Sequence, residues 1–215
     1  RLHAALLRVL RARHARFAAE MARAARGQAV ESVHQSRVAA RSLRSLIGTL
    51  GGALDPRLAS SIRRDLRASG LELGSMREAD VRRAWLAQLA EETGLEPALA
   101  ASLGRALDRD CASARRAFRE YAHSMAARER LERLEAAFAS DRLVVGTEAR
   151  FADFLRHRLR RRWKRLLRAT ETPRPDALAL HEIRILAKHA RYSTEALLPL
   201  LGSDPGPAVK PLKRL

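Results

Sequence analysis

One cysteine, Cys111, stands in a chain of 215 residues. A lone thiol excludes an intramolecular disulfide framework and any CxxC or Cys-rich zinc site, and it fits a reducing compartment. Aromatic side chains number nine (five Phe, two Trp, two Tyr), too few to line a single-stranded nucleic-acid groove with stacking platforms. No apolar run approaches the roughly 20 residues needed to span a bilayer, and no secretory leader pattern opens the chain. P-loop, HExxH, helix-turn-helix and zinc-finger spacings are all missing, so no metal and no cofactor are expected. Acids are in deficit too: 24 Asp+Glu face 42 Lys+Arg, a formal net charge of +18. With 47% hydrophobic residues the chain is too apolar for a disordered basic tail, and it is long enough to bury a sizeable core. The expectation is a folded, soluble, intracellular and very basic protein.

Of the 42 cations, 38 are Arg and 4 are Lys. The guanidinium is a planar fork of five donors that suits phosphate oxygens and never deprotonates. The charge is unevenly spread. Residues 1–50 carry 10 cations and 2 anions, residues 51–140 carry 15 and 14, and residues 141–215 carry 17 and 8. A polyanion site assembled from both ends of the chain leaves this asymmetry, as do two unrelated solvated faces.

Apolar residues recur at three- and four-residue spacing almost throughout, and strand-like alternation is absent, so the expected class is all-α. Breakers divide the chain. Gly27 separates a helix over about 1–26 from one over about 29–50. Gly51-Gly52 and Asp55-Pro56 open a third that stops near Gly70, and a fourth runs from about Ser75 to Glu92. Pro97 starts a long helical stretch to about Ser140, with a break near Ser124. A helix over about 147–169 is stopped by Pro173 and Pro175, and Asp176 caps the next, which runs to about Leu198. A last helix begins after Pro205 or Pro207 and is cut short, as if the chain were an excerpt.

The chain repeats itself. VHQSRVAARSLR at 33–44 returns as LHEIRILAKHAR at 180–191, an offset of 147. Both copies follow His-x2-Arg-x3-Arg/Lys-x2-Arg: His34, Arg37, Arg41 and Arg44, then His181, Arg184, Lys188 and Arg191. These positions fall within about 80° of one helix face and span about 15 Å of its axis. Leu2, Leu6, Leu10, Arg13 and Phe17 match Phe151, Leu155, Leu159, Arg162 and Leu166 at an offset of 149. Asp55-Pro56 recurs as Asp204-Pro205 at that same offset of 149. Duplication is the economical explanation, with halves of about 1–93 and 147–215 joined by a helical segment of about 97–140. Arg13 and Arg162 sit inside the apolar stripes of their helices, where a lone charge is costly to bury. Residues 155–168 hold eight cations and no acid, so Arg162 either meets a distant acid or faces an aqueous, anion-filled cavity, and the cavity is favoured.

At these residues the chain resembles a family, the CHAD domain (conserved histidine α-helical domain). VHQSRVAARSLR is similar to the family's first signature, LHEIRILAKHARYSTE to its second, and LGSMREADV at 73–81 to the LGxxRDxDV segment that separates them. The resemblance covers essentially the whole chain as a single domain over 1–215. It implies two similar helical bundles related by an internal pseudo-two-fold, with a basic central tunnel or groove that binds inorganic polyphosphate. The binding positions it implies are His34, Arg37, Arg41, Arg44, His181, Arg184, Lys188 and Arg191, with Tyr192 following the second motif. Arg13, Arg16, Arg158, Arg162 and Arg165 on the flanking helices join that set. Ser42 stands where the family usually repeats Arg, and His189 where a second cation is common, which predicts a weaker grip. Glu78 replaces the usual Asp of the middle segment, a structural change.

The expected function is therefore non-catalytic binding of polyphosphate, for targeting or sensing, in the cytoplasm beside polyphosphate granules, the nucleus not being excluded. The alternative is nonspecific DNA or RNA binding, and weak nucleic-acid binding by exposed Arg is compatible with either. An enzyme of phosphoanhydrides would need paired acids or a positioned base beside the phosphates, and the stripes lack both. Proton uptake on binding is expected at His34 and His181, since bound phosphate favours imidazolium. Glu195 reads as an i,i+4 partner of Arg191. His3, His14, His123 and His157 read as surface residues. Arg77, Glu78 and Asp80 read as capping and pairing groups at a helix start. Cys111, Trp85 and Trp163 read as packing residues, with Trp163 placed to edge the site. Oligomeric state is not legible.

Overall fold

The computed structural model describes residues 1–27, 30–171 and 175–213. Eight α-helices follow one another among them: α1 Leu2–Ala25, α2 Val30–Leu50, α3 Pro56–Thr93, α4 Pro97–His123, α5 Met125–Ala139, α6 Phe151–Thr170, α7 Ala177–Leu197 and the short α8 Gly206–Val209. There is no strand among the described residues. Leu54 and Val144 form an isolated antiparallel bridge, flanked by the bonds Asp55 N to Leu143 O and Val145 N to Ala53 O.

The local chemistry of the breakers accounts for most ends. Gly27 adopts φ 70° and closes α1, a conformation a Cβ would resist. Asp55 Oδ1 accepts from Arg57 N and Leu58 N, both at 2.9 Å, and starts α3. Ser124 is extended between α4 and α5; its hydroxyl donates to Tyr121 O and accepts from Ala127 N, which serves both helix ends at once. Asp176 caps α7 through Ala179 N at 2.7 Å. The expected stops at Pro173 and Pro175 fall at the edge of the described residues, Pro173 lying outside them.

One expected break does not occur. α3 runs unbroken for 38 residues through Gly70 and Gly74. A tertiary contact is made there. A Cβ on Gly74 would stand 3.3 Å from Arg37 Nη1, and the same nitrogen donates to Gly70 O at 3.4 Å. Gly74 lets the guanidinium lie close against the helix, whereas a Cβ on Gly70 would meet nothing within 4 Å; the cost of each glycine in helix propensity, about 1 kcal/mol, does not break the helix. Asp80 consequently lies in mid-helix, half-buried and paired at 2.9 Å with Arg115 of α4; no helix start exists there for it to cap.

Two compact units make up the fold. The first comprises Arg1–His14, Arg41–Arg63 and Ala136–Leu215, and thus draws on both copies of the repeat. Leu6, Leu10, Leu43, Leu46, Ile47, Leu50, Phe138 and Leu155 are buried in it. Each fully buried side chain of this size contributes about 1.5–3 kcal/mol. His14 is a correction to the surface reading. It is 5% exposed and stacks on Phe138 with ring centroids 4.7 Å apart, because it shares the helix face of Leu10, Phe17 and Met21. The second unit comprises Ala15–Ala40 and Arg64–Glu135. Phe17, Met21, Leu66, Leu73, Met76, Cys111, Phe118 and Leu134 are buried there. Its buried Asp65 is held by both Nε and Nη2 of Arg133 at 3.2 and 3.1 Å.

Candidate functional site: a cationic cluster on three helices

The first unit places three basic surfaces together. α2 supplies Arg41 and Arg44, both exposed; α6 supplies the half-buried Arg162 and the exposed Arg165; α7 supplies the exposed Arg184 and the half-buried Lys188, His189 and Arg191. Their proximity is visible in their electrostatics. Burial, then Arg41, Arg184 and Arg191, push the Lys188 ammonium below its ordinary range. Burial, then Arg165, Arg158 and Arg161, lower Arg162 in the same way. Two like charges about 8 Å apart repel by on the order of 2 kcal/mol at an effective dielectric of about 20. A cluster of this kind stands only where solvent or a bound anion neutralises it.

Glu195 lies 3.9 Å from Arg191 Nε, one turn along α7, and the Arg191 guanidinium also covers the ring of Tyr192 at 4.9 Å. Tyr192 itself is buried. Arg162, for which the sequence favoured an aqueous, anion-filled cavity over a distant acid, has a hydroxyl as partner: its Nε donates to Thr49 Oγ1 at 3.0 Å. Among the described residues no carboxylate pairs with it.

Arg13, its counterpart in the repeat, also reaches a hydroxyl, Nη1 donating to Ser42 Oγ at 2.7 Å. Repeat-related arginines of α1 and α6 thus both reach hydroxyls of α2, seven residues apart. Thr49 is wholly buried. Its hydroxyl also bonds Ser45 O at 2.9 Å and Ser193 Oγ at 2.7 Å. The α6 arginines lie against two glycines, in ordinary contact at Gly48 and more closely at Gly51. A Cβ on Gly48 would lie 3.5 Å from Arg162 Nη2, and one on Gly51, at φ +43°, would lie 2.9 Å from Arg158 Nη2.

The remaining predicted residues have other surroundings. Arg158 is spent on structure: it donates to the carbonyls of Thr49 and Gly48 at the end of α2, and its guanidinium stands 5.9 Å from the Phe154 ring centroid. Arg16, His34 and Arg37 belong to the second unit. Arg16 bonds Gln35, which bonds Glu31, while Arg37 is committed to Gly70 and Gly74 as described. His34 is half-buried, and His181 is exposed near the start of α7. Trp163 is a packing residue that edges the cluster: Nε1 donates to Thr194 Oγ1 at 3.0 Å and its ring packs on Leu166, Ala187 and Ala190.

Sequence reasoning missed Gly48, Thr49 and Ser45 as partners of the cations, since nothing local marks a residue whose partner lies 113 positions away. It also read His189 only as a lost cation. The structure bonds His189 Nδ1 to Ser45 Oγ at 2.9 Å. Among the described residues no group of three or more His, Cys, Asp or Glu side chains could hold a metal ion, and no helix is long and apolar enough to cross a membrane. What the cluster can do chemically is bind anions through charge-assisted hydrogen bonds.

A family model described as CHAD domain matches residues 8–215. Among solved structures, that of the CHAD domain from the plant Ricinus communis superposes with a TM-score of 0.79 at 24% identity, over 99% of this chain and 71% of that one. The structure of PptA from Streptomyces chartreusis gives a TM-score of 0.70 at 22% identity, over 99% and 81%. At these identities the likeness is one of fold. None of the curated proteins matches the chain.

Proposed function

Since the chain belongs to the CHAD domain family, we propose that it binds inorganic polyphosphate on the cluster of α2, α6 and α7, as a module without catalysis that targets or senses the polymer. One observation carries the reading: Arg41, Arg44, Arg165, Arg184 and Lys188 come from three helices into one unit, close enough for their charges to act on Lys188 and His189. A linear polyanion offers a repeating charge that such a cluster can grip by guanidinium forks, with no base contacts required. Counterion release then supplies much of the affinity, which falls steeply as salt rises. The family motif assigns His34 and His181 to the same ligand. Binding of this kind fits an intracellular protein found beside polyphosphate deposits.

The test is calorimetric titration with long-chain polyphosphate, against duplex DNA of matched charge, at about 150 mM salt. Wild type is expected to bind polyphosphate far more tightly than DNA. Arg41→Gln, Arg44→Gln and Arg184→Gln together should weaken polyphosphate binding at least about a hundredfold, at roughly 1.5–3 kcal/mol for each hydrogen bond to a charged group. All three side chains are exposed, so the variant should fold, which circular dichroism checks. Equal affinity for the two polymers, unmoved by the substitutions, overturns the reading in favour of nonspecific nucleic-acid binding.

A further inference from the structure

Position 189 is where the second motif departs from a run of cations, and the structure gives that departure a use. His189 is half-buried, and cations face it from two other helices: Arg41 and Arg44 from α2, Arg162 and Arg165 from α6. On its own helix Lys188 adjoins it. The turn after α8 also packs on α7, through Leu212, and contributes no charge to its surroundings among the described residues. Ser45 of α2 is its hydrogen-bond partner.

We propose that His189 is a proton-binding site coupled to the polyanion, uncharged in the free protein and an imidazolium, hence a further cationic ligand, when phosphates occupy the cluster. The proposal rests on the polyphosphate reading above. Two features of the geometry carry it. The groups that surround the imidazole are the same ones a polyanion would neutralise, so occupancy removes the repulsion that opposes its protonation. Its partner is a hydroxyl, which can donate to a neutral ring nitrogen or accept from a protonated one, so the bond to Ser45 survives the change of state. In the unliganded chain burial comes first, then Arg162, Arg44, Arg165 and Arg41, in holding the imidazole below its ordinary range. The added proton comes from the buffer and departs when the polymer leaves.

The reciprocal of this coupling is that acid tightens binding: uptake of one proton steepens affinity by at most about tenfold per pH unit. The experiment is calorimetry of the whole chain with long linear polyphosphate, in which titrating end groups are few, in two buffers of different ionisation enthalpy near neutral pH. Wild type should take up a fraction of a proton per site. In a His34→Gln, His181→Gln background, which removes the uptake expected at those two residues, a fraction of a proton per site should remain. Adding His189→Gln should abolish it and flatten the affinity across the range, and adding His189→Arg instead should give no uptake at any pH. No remaining uptake in that background, or uptake that persists once His189→Gln is added, overturns the proposal and leaves the polyphosphate reading standing. No binding of polyphosphate by wild type removes both. In the free protein the His189 imidazole resonance should titrate below the usual histidine range and move upward on adding the polymer, and the absence of that movement counts against the proposal independently.

Discussion

The two copies of the histidine motif start from the same skeleton and meet different neighbours. In the first, on α2, the position after the third cation is Ser42, which is 6% exposed and accepts from Arg13 of α1. In the second, on α7, the same position is His189, half-buried and bonded to Ser45 of α2. Both departures from the cationic pattern are therefore inward-facing ties between helices. The difference lies in what surrounds each tie. Ser42 is a fixed hydroxyl already engaged by a guanidinium, whereas His189 is an ionisable ring among cations that a ligand could screen. Two departures that look alike in sequence thus brace the helices with different chemistry.

Exchanging the two positions is the sharpest way to break this comparison. Ser42→Arg sets a second guanidinium against Arg13 in a buried place and should cost about 3 kcal/mol or more. His189→Arg, half-buried but with its longer side chain able to reach solvent, should cost the free protein less, on the order of 2 kcal/mol of like-charge repulsion. Thermal and urea unfolding measure both; equal losses would mean that the two positions are equivalent after all. The hydroxyl on which Arg162 ends tests the parallel with Arg13. Thr49→Val strands Arg162 Nε and Ser193 Oγ together and should cost about 2 kcal/mol. A negligible loss would show that the Thr49 hydroxyl does not brace Arg162.

The smallest expected effect is the pH dependence of the free protein. His189 has a folded pKa below its ordinary value of 6.5, so between the two values the unfolded chain binds more protons. Stability is then intact above about pH 6.5 and declines as pH falls through that value toward the folded pKa. His189→Gln should flatten this decline relative to wild type in unfolding curves taken at successive pH values, and an unchanged decline would place its origin in another group.

Much of the fold was legible because its signals are local. The apolar period set the helices, Asp55, Ser124 and Asp176 marked ends through bonds to amides two to four residues away, and the duplicated motif marked the basic stripes. The misses have a common cause. α3 continues through Gly70 and Gly74, where Arg37, more than 30 residues upstream, bonds Gly70 O and lies against Gly74. His14 is buried because its helix face is, a period visible in Leu10, Phe17 and Met21 but outweighed by the habit of reading histidine as polar. Arg158 looked like part of the cationic face and instead closes the carbonyl end of α2.

The sequence by itself determined that the chain is helical, strongly basic at its ends, internally repeated and a member of its family, since composition, period and motif spacing need no partner to be read. Only the tertiary structure decided which cations are free to meet an anion and which are fastened to Ser42, Gly70 or Thr49. Hydrogen bonds and like-charge repulsion act over a few ångströms between groups far apart in the chain, and the fold alone brings those groups within that distance.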